Sequence, residues 1–117
     1  MTDFAAHLIR QMVFSRATFG PGARTNGVLD HIAKEIVEVR NSNGSADEWV
    51  DLVILSLDGL TRQLWSASDY KKYAQEIAET AINMVVGKQS RNELRNWPDW
   101  RTSDPNKAIE HDRSMEE

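Results

Sequence analysis

The chain has 117 residues, no cysteine, and 14 Lys and Arg against 18 Asp and Glu, giving a net charge of −4. That length fits one domain, residues 1–117, able to bury a core unaided, and the lack of cysteine excludes a disulfide scaffold, a thiolate zinc site and a cysteine nucleophile. The most apolar stretch, residues 52–57, is far short of the ~20 residues of a membrane span. Asp3 argues against a signal peptide, and the acidic balance argues against duplex DNA, so a cytoplasmic protein with neither membrane nor duplex nucleic acid as partner is expected.

The first helix is predicted over residues 2–14, where Phe4, Ala5, Leu8, Ile9, Met12 and Val13 recur at spacings of three and four. Residues 15–27 hold Gly20, Pro21, Gly22 and Gly27 and read as a long loop, placed to act as a lid. A second helix follows over residues 28–40, with Leu29, Ile32, Ala33, Ile36 and Val39 as its buried stripe. Asn41-Ser42-Asn43-Gly44 breaks it, and Ser45 with Glu48 reads as a capping box that starts a third helix over residues 46–65. That helix is apolar nearly all round, which makes it central. A fourth runs over residues 66–86. Pro98 and Pro105 then leave an irregular tail, with Ile109 and His111 as docking points and its acids, Glu116 and Glu117 among them, favouring disorder beyond Ser103. The sum is all-α, a four-helix bundle with a long N-terminal loop.

Four acids stand out. Glu35 and Glu38 lie three apart on the second helix, as do Glu48 and Asp51 on the third, so each pair shares a helix face. A short turn makes the helices antiparallel neighbours, and counting outward from Asn43 sets Glu38 level with Glu48 and Glu35 level with Asp51. Clustered carboxylates repel, and burying them unpaired is costly. An all-oxygen set of this kind favours a hard cation, magnesium or manganese. His31, one turn before Glu35, is either a neighbour of that site or an interfacial histidine. A phosphate substrate follows from such a cation. Lys88, Asn92 and Arg95, at spacings of four and three, present donors for one, and Arg16, Arg24 and Arg62 could add more. Trp97 and Trp100 staple the tail or stack on a base, while Phe14 and Phe19, beside the loop, have the better claim to contact a base.

Glu35-Ile36-Val37-Glu38 followed after nine residues by Glu48-Trp49-Val50-Asp51 resembles the signature of the MazG-like all-α nucleoside triphosphate pyrophosphohydrolases. Phe14-Ser15-Arg16-Ala17-Thr18-Phe19-Gly20-Pro21-Gly22, Asp30-His31-Ile32, Asn96-Trp97-Pro98-Asp99-Trp100 and Ala108-Ile109-Glu110-His111 look like its MazZ branch, found largely in bacteriophages. The resemblance implies hydrolysis of dATP and dGTP to the monophosphate and pyrophosphate, two or three magnesium or manganese ions, and a homotetramer built as a dimer of dimers. In phages with 2-aminoadenine genomes such enzymes adjust the purine pool, in the host cytoplasm. Carried over by the resemblance are Glu35, Glu38, Glu48 and Asp51 as metal ligands, with Lys88, Asn92 and Arg95 as phosphate contacts. Either Glu38 or Glu48 would take a proton from the attacking water. The alternatives are the same chemistry on dUTP, dCTP or a damaged purine, and a helical interaction module without turnover.

Overall fold

The structure is a computed structural model that describes residues 3–112. Among these there are four α-helices and no strand: α1 (Phe4–Phe19), α2 (Thr25–Asn41), α3 (Ala46–Leu64) and α4 (Ala74–Glu93). Short 3-10 turns at Tyr70–Tyr73 and Trp100–Thr102 complete the regular structure. None of these helices is long and apolar enough to cross a membrane. The all-α expectation holds. The chain divides into two compact units, with the boundary between Asn83 and Met84 inside α4.

In the first unit the core joins α1 to the start of α4. Ala5, Leu8 and Met12 pack with Tyr70, Ala74, Ile77, Ala78 and Ala81, and the alanines at 74, 78 and 81 let the backbones approach closely. Asp3 caps α1 by accepting from the Ala5 N–H at 3.0 Å. The helix then continues five residues past the expected end at residue 14, because its polar last turns find distant partners. The Ser15 hydroxyl donates to Asp58 at 2.7 Å, and the Arg16 guanidinium donates to the Trp65 carbonyl at 2.8 Å. What reads as a thirteen-residue loop in the sequence is therefore helix at both ends, with only residues 20–24 between α1 and α2.

That remaining loop is no free lid. Arg62, completely buried, donates from Nη1 to the carbonyls of Gly20 at 3.0 Å and Gly22 at 2.8 Å. Its Nη2 donates to the Ser15 carbonyl and hydroxyl, and its Nε to Asp58 at 2.9 Å. All five guanidinium N–H groups are thus matched within the fold. Arg62 is accordingly a staple between α3 and the α1–α2 loop, which corrects its expected place among the phosphate-binding groups.

The inward face of α2 also differs from expectation. Val28, Glu35 and Val39 are buried, whereas Leu29 and Ile36 are 54% and 38% exposed. Val39 and the half-buried Ile32 keep their predicted places, while Val28 and Glu35 turn inward instead of Leu29, Ala33 and Ile36. Likewise α3 is not buried all round: Leu55, Asp58, Thr61 and Arg62 face inward, while Trp49, Val50 and Val53 stay exposed.

In the second unit, α4 runs through Gly87 to Glu93, beyond the expected end at residue 86. A helix tolerates one interior glycine at a cost of about 1 kcal/mol. Trp97 donates to the Asn92 carbonyl at 2.7 Å and meets the His111 ring edge-on, with 5.4 Å between centroids. The Asp112 N–H donates to the Asn96 carbonyl at 2.7 Å. So the tail is held at His111, as expected, and is tied back as far as Asp112; Glu116 and Glu117 lie outside the described residues.

Candidate active site

The site is built on the α2–α3 hairpin, and its turn fixes the geometry. After Asn41 the chain closes a Schellman motif: the Gly44 N–H donates to the Val39 carbonyl at 2.9 Å and the Asn43 N–H to the Arg40 carbonyl at 3.1 Å. Asn43 and Gly44 both sit at left-handed φ, 58° and 79°, a conformation that asparagine and glycine tolerate best. Ser42 Oγ donates to the Val39 carbonyl at 3.0 Å and accepts from the Ser45 N–H at 3.1 Å, locking the turn from within. Ser45 does occupy the N-cap of α3, but its side chain makes no capping hydrogen bond. The expected capping box is absent: the Ser45 N–H is taken by Ser42 Oγ, and the Glu48 carboxyl sits with Glu35 and Glu38.

The hairpin brings Glu35, Glu38 and Glu48 together, each offering a carboxylate oxygen within 4.8 Å of the others. Asp51 stands close enough for its charge to act on Glu35. As counting from the turn expects, Glu38 comes within reach of Glu48 and Asp51 near Glu35, and Glu48 in addition approaches Glu35. Glu35 is 6% exposed, Glu48 half-buried and Glu38 exposed, so the cluster grades from the protein interior to solvent.

The electrostatics are those of an unbalanced site. The hydrogen bond with Glu48, then burial, then the charges of Glu38, Asp51 and Glu48 push the Glu35 carboxyl up to about 8. As a carboxylate, Glu35 has a buried Oε1 with no donor; protonated, it can donate to Glu48. A buried acceptor without a donor costs about 1–3 kcal/mol. A divalent cation would remove that cost and the mutual repulsion together, and clustered carboxylate oxygens are donors that a hard ion takes. The three carboxylates of Glu35, Glu38 and Glu48 could hold a metal ion.

Next to the carboxylates along α2 lies an aromatic group. The Phe19 ring meets Phe14 edge-on at 6.3 Å and His31 at 6.1 Å, and the Arg24 guanidinium lies 6.0 Å from the Phe19 centroid. Phe14 and Phe19 remain 62% and 41% exposed, leaving surface for a flat ligand. His31 belongs to this group and is exposed. In the second unit, Arg95 donates to the Asn92 side chain at 3.0 Å, which brings two of the three expected phosphate contacts together; Lys88 is exposed on α4. Sequence reasoning passed over Ser15 and Asp58, which complete the Arg62 network. The available signal was the Asp58–Arg62 spacing of four on one helix.

A model of the dATP/dGTP pyrophosphohydrolase family matches residues 8–115. No curated protein and no solved structure matches the chain. The family match spans both the carboxylate hairpin and the second unit. The chain belongs to the dATP/dGTP pyrophosphohydrolase family, and is a nucleoside triphosphate pyrophosphohydrolase whose substrate is a deoxynucleoside triphosphate.

Proposed function

We propose that this chain hydrolyses dATP and dGTP to the monophosphate and pyrophosphate at the α2–α3 hairpin, with two or three magnesium or manganese ions held by Glu35, Glu38, Glu48 and Asp51. The observation that carries the reading is the buried, donorless Oε1 of Glu35 inside a cluster of three carboxylates. When bound, the ions supply charge neutralisation on the pyrophosphate leaving group and a lowered pKa for an attacking water. Glu35, the most buried of the set, anchors the site. Glu38 and Glu48 face further out and are the groups able to accept the water's proton. Phe14 and Phe19 offer ring faces for a purine, and the exposed His31 lies between them and Glu35 along α2. Lys88, Asn92 and Arg95 serve as phosphate contacts.

The whole chain acts as one catalytic domain in this reading, and it works as a homotetramer, a dimer of dimers. Support for self-association comes from the apolar side chains that α2 and α3 leave outside: Leu29, Val37, Trp49, Val50 and Val53 are each more than half exposed. The MazZ-like pattern supports a further part of this reading: a phage enzyme that adjusts the purine deoxynucleotide pool in the host cytoplasm during synthesis of a 2-aminoadenine genome.

Pyrophosphate release from each of the four dNTPs, with magnesium, manganese or EDTA, tests the proposal. Release from dATP and dGTP that EDTA abolishes is the expected result. Release mainly from dUTP or dCTP would keep the mechanism and overturn the purine assignment. Turnover undiminished by EDTA would overturn the ion site.

A further inference from the structure

At the far end of α3 from the carboxylates, the first unit holds a surface cavity of about 350 Å³ lined by Arg16, Ser66, Ser68, Tyr70 and Lys71, among others. Fourteen residues separate Asp51 from Trp65 along the helix, a rise of about 21 Å, so this space lies well away from the Glu35 cluster. Arg16 is its unusual member. It is 7% exposed, its Nη2 donates to the Trp65 carbonyl, and its guanidinium lies over the Tyr70 ring at 4.5 Å. Its Nε and Nη1 are buried and have no acceptor.

The contrast with Arg62 shows what is missing. Arg62 has an acceptor for every N–H. The acid whose charge acts on Arg16 makes no hydrogen bond to it: Asp58 Oδ1 accepts instead from Arg62 and Ser15. Burial and the nearby Arg62 charge both press against the charged form of Arg16. A buried cation in that state calls for an anion. Lys71 adds a second positive charge at the exposed wall, and the hydroxyls of Ser66 and Ser68 add donors. Three guanidinium N–H groups, an ammonium and two hydroxyls suit a ligand group with three or more oxygens better than a two-oxygen carboxylate.

We propose that this cavity is a second anion site, separate from the hydrolytic centre, that takes a phosphate-bearing ligand through Arg16 and Lys71. Access of the anion to Nε and Nη1 requires the Tyr70 ring to shift from its place over the guanidinium. Free phosphate or pyrophosphate and the phosphate of a nucleotide share this chemistry.

The test is calorimetric titration of the full chain in EDTA at fixed ionic strength, so that ion-dependent binding at the carboxylates is silent. Inorganic phosphate, pyrophosphate and dGMP are the separate ligands. At least one should bind to wild-type protein and to Glu38→Gln alike, with the tightest of the three identifying the source. Lys71→Gln, an exposed change that leaves the core intact, should weaken binding about tenfold. Arg16→Lys should weaken it as well, by removing the planar fork while keeping the charge. Absence of binding by all three anions in EDTA overturns the proposal, and so does binding that Lys71→Gln leaves unchanged.

Discussion

The two halves of α3 treat buried charge in opposite ways. At the C-terminal half, Arg62 and Asp58 are sealed inside and every guanidinium N–H has an acceptor. At the N-terminal half, Glu48 and Asp51 crowd Glu35, whose Oε1 has no donor, and the carboxylates of Glu35, Glu38 and Glu48 approach within 4.8 Å. A buried charge with a complete set of partners holds a fold in register; a buried charge without one marks a place where something else must bind. In the proposed reading the same helix carries a structural end and a reactive end, and charge balance tells them apart.

Substitutions should separate the two ends by what they damage. The largest effect is expected at the reactive end: Glu38→Gln or Glu48→Gln, whichever removes the proton acceptor, should lower pyrophosphate release from dGTP by about 10²–10⁴-fold. Both variants, folded by circular dichroism, turning over at the wild-type rate would remove the hairpin from catalysis. At the structural end, Asp58→Ala strands Arg62 in the core and should cost about 3–5 kcal/mol in urea unfolding. Added magnesium should not restore that loss, because Asp58 is not in the ion site.

The third expectation sharpens the contrast through pH. Glu35 titrates at about 8 in the folded chain, above its ordinary 4.5, so between those values the folded state holds a proton that the unfolded state has released. Without metal, stability should be full below pH 4.5 and fall as pH rises through 8. Glu35→Gln should flatten that slope, and metal should reverse it, since ion binding displaces the proton. A metal-free melting temperature that climbs between pH 5 and 8 in proportion to Glu35 would contradict this balance of charges. The smallest effect belongs to the turn: Asn43→Ala, at φ 58°, should cost about 1 kcal/mol, read as a lowered melting temperature with little loss of hydrolysis.

Such a division was half legible in the sequence. The carboxylates could be found because two acids three apart on each side of a short turn need only local geometry to meet. That Glu48 also reaches across to Glu35 depends on how the helices cross, which counting from Asn43 does not supply. The continuation of α1 through Ser15 and Arg16 was hidden for another reason: both residues are polar, and the partners that bury them, Asp58 and the Trp65 carbonyl, lie more than forty residues away. Glycines near a proline then outweighed helical signals. The inward turn of Val28 in place of Leu29 likewise follows from α3 as the neighbour, not from the spacing of apolar residues on α2 alone.

The locked hairpin has a consequence for how sequences of this kind can change in length. Each residue added between Asn41 and Ala46 would break the paired bonds from the Asn43 and Gly44 N–H groups and release α3 from the register that sets Glu48 against Glu35. The tip is exposed, yet it has no slack in length. A laboratory series of one to three residues added there should lower activity while the helical content stays as it was.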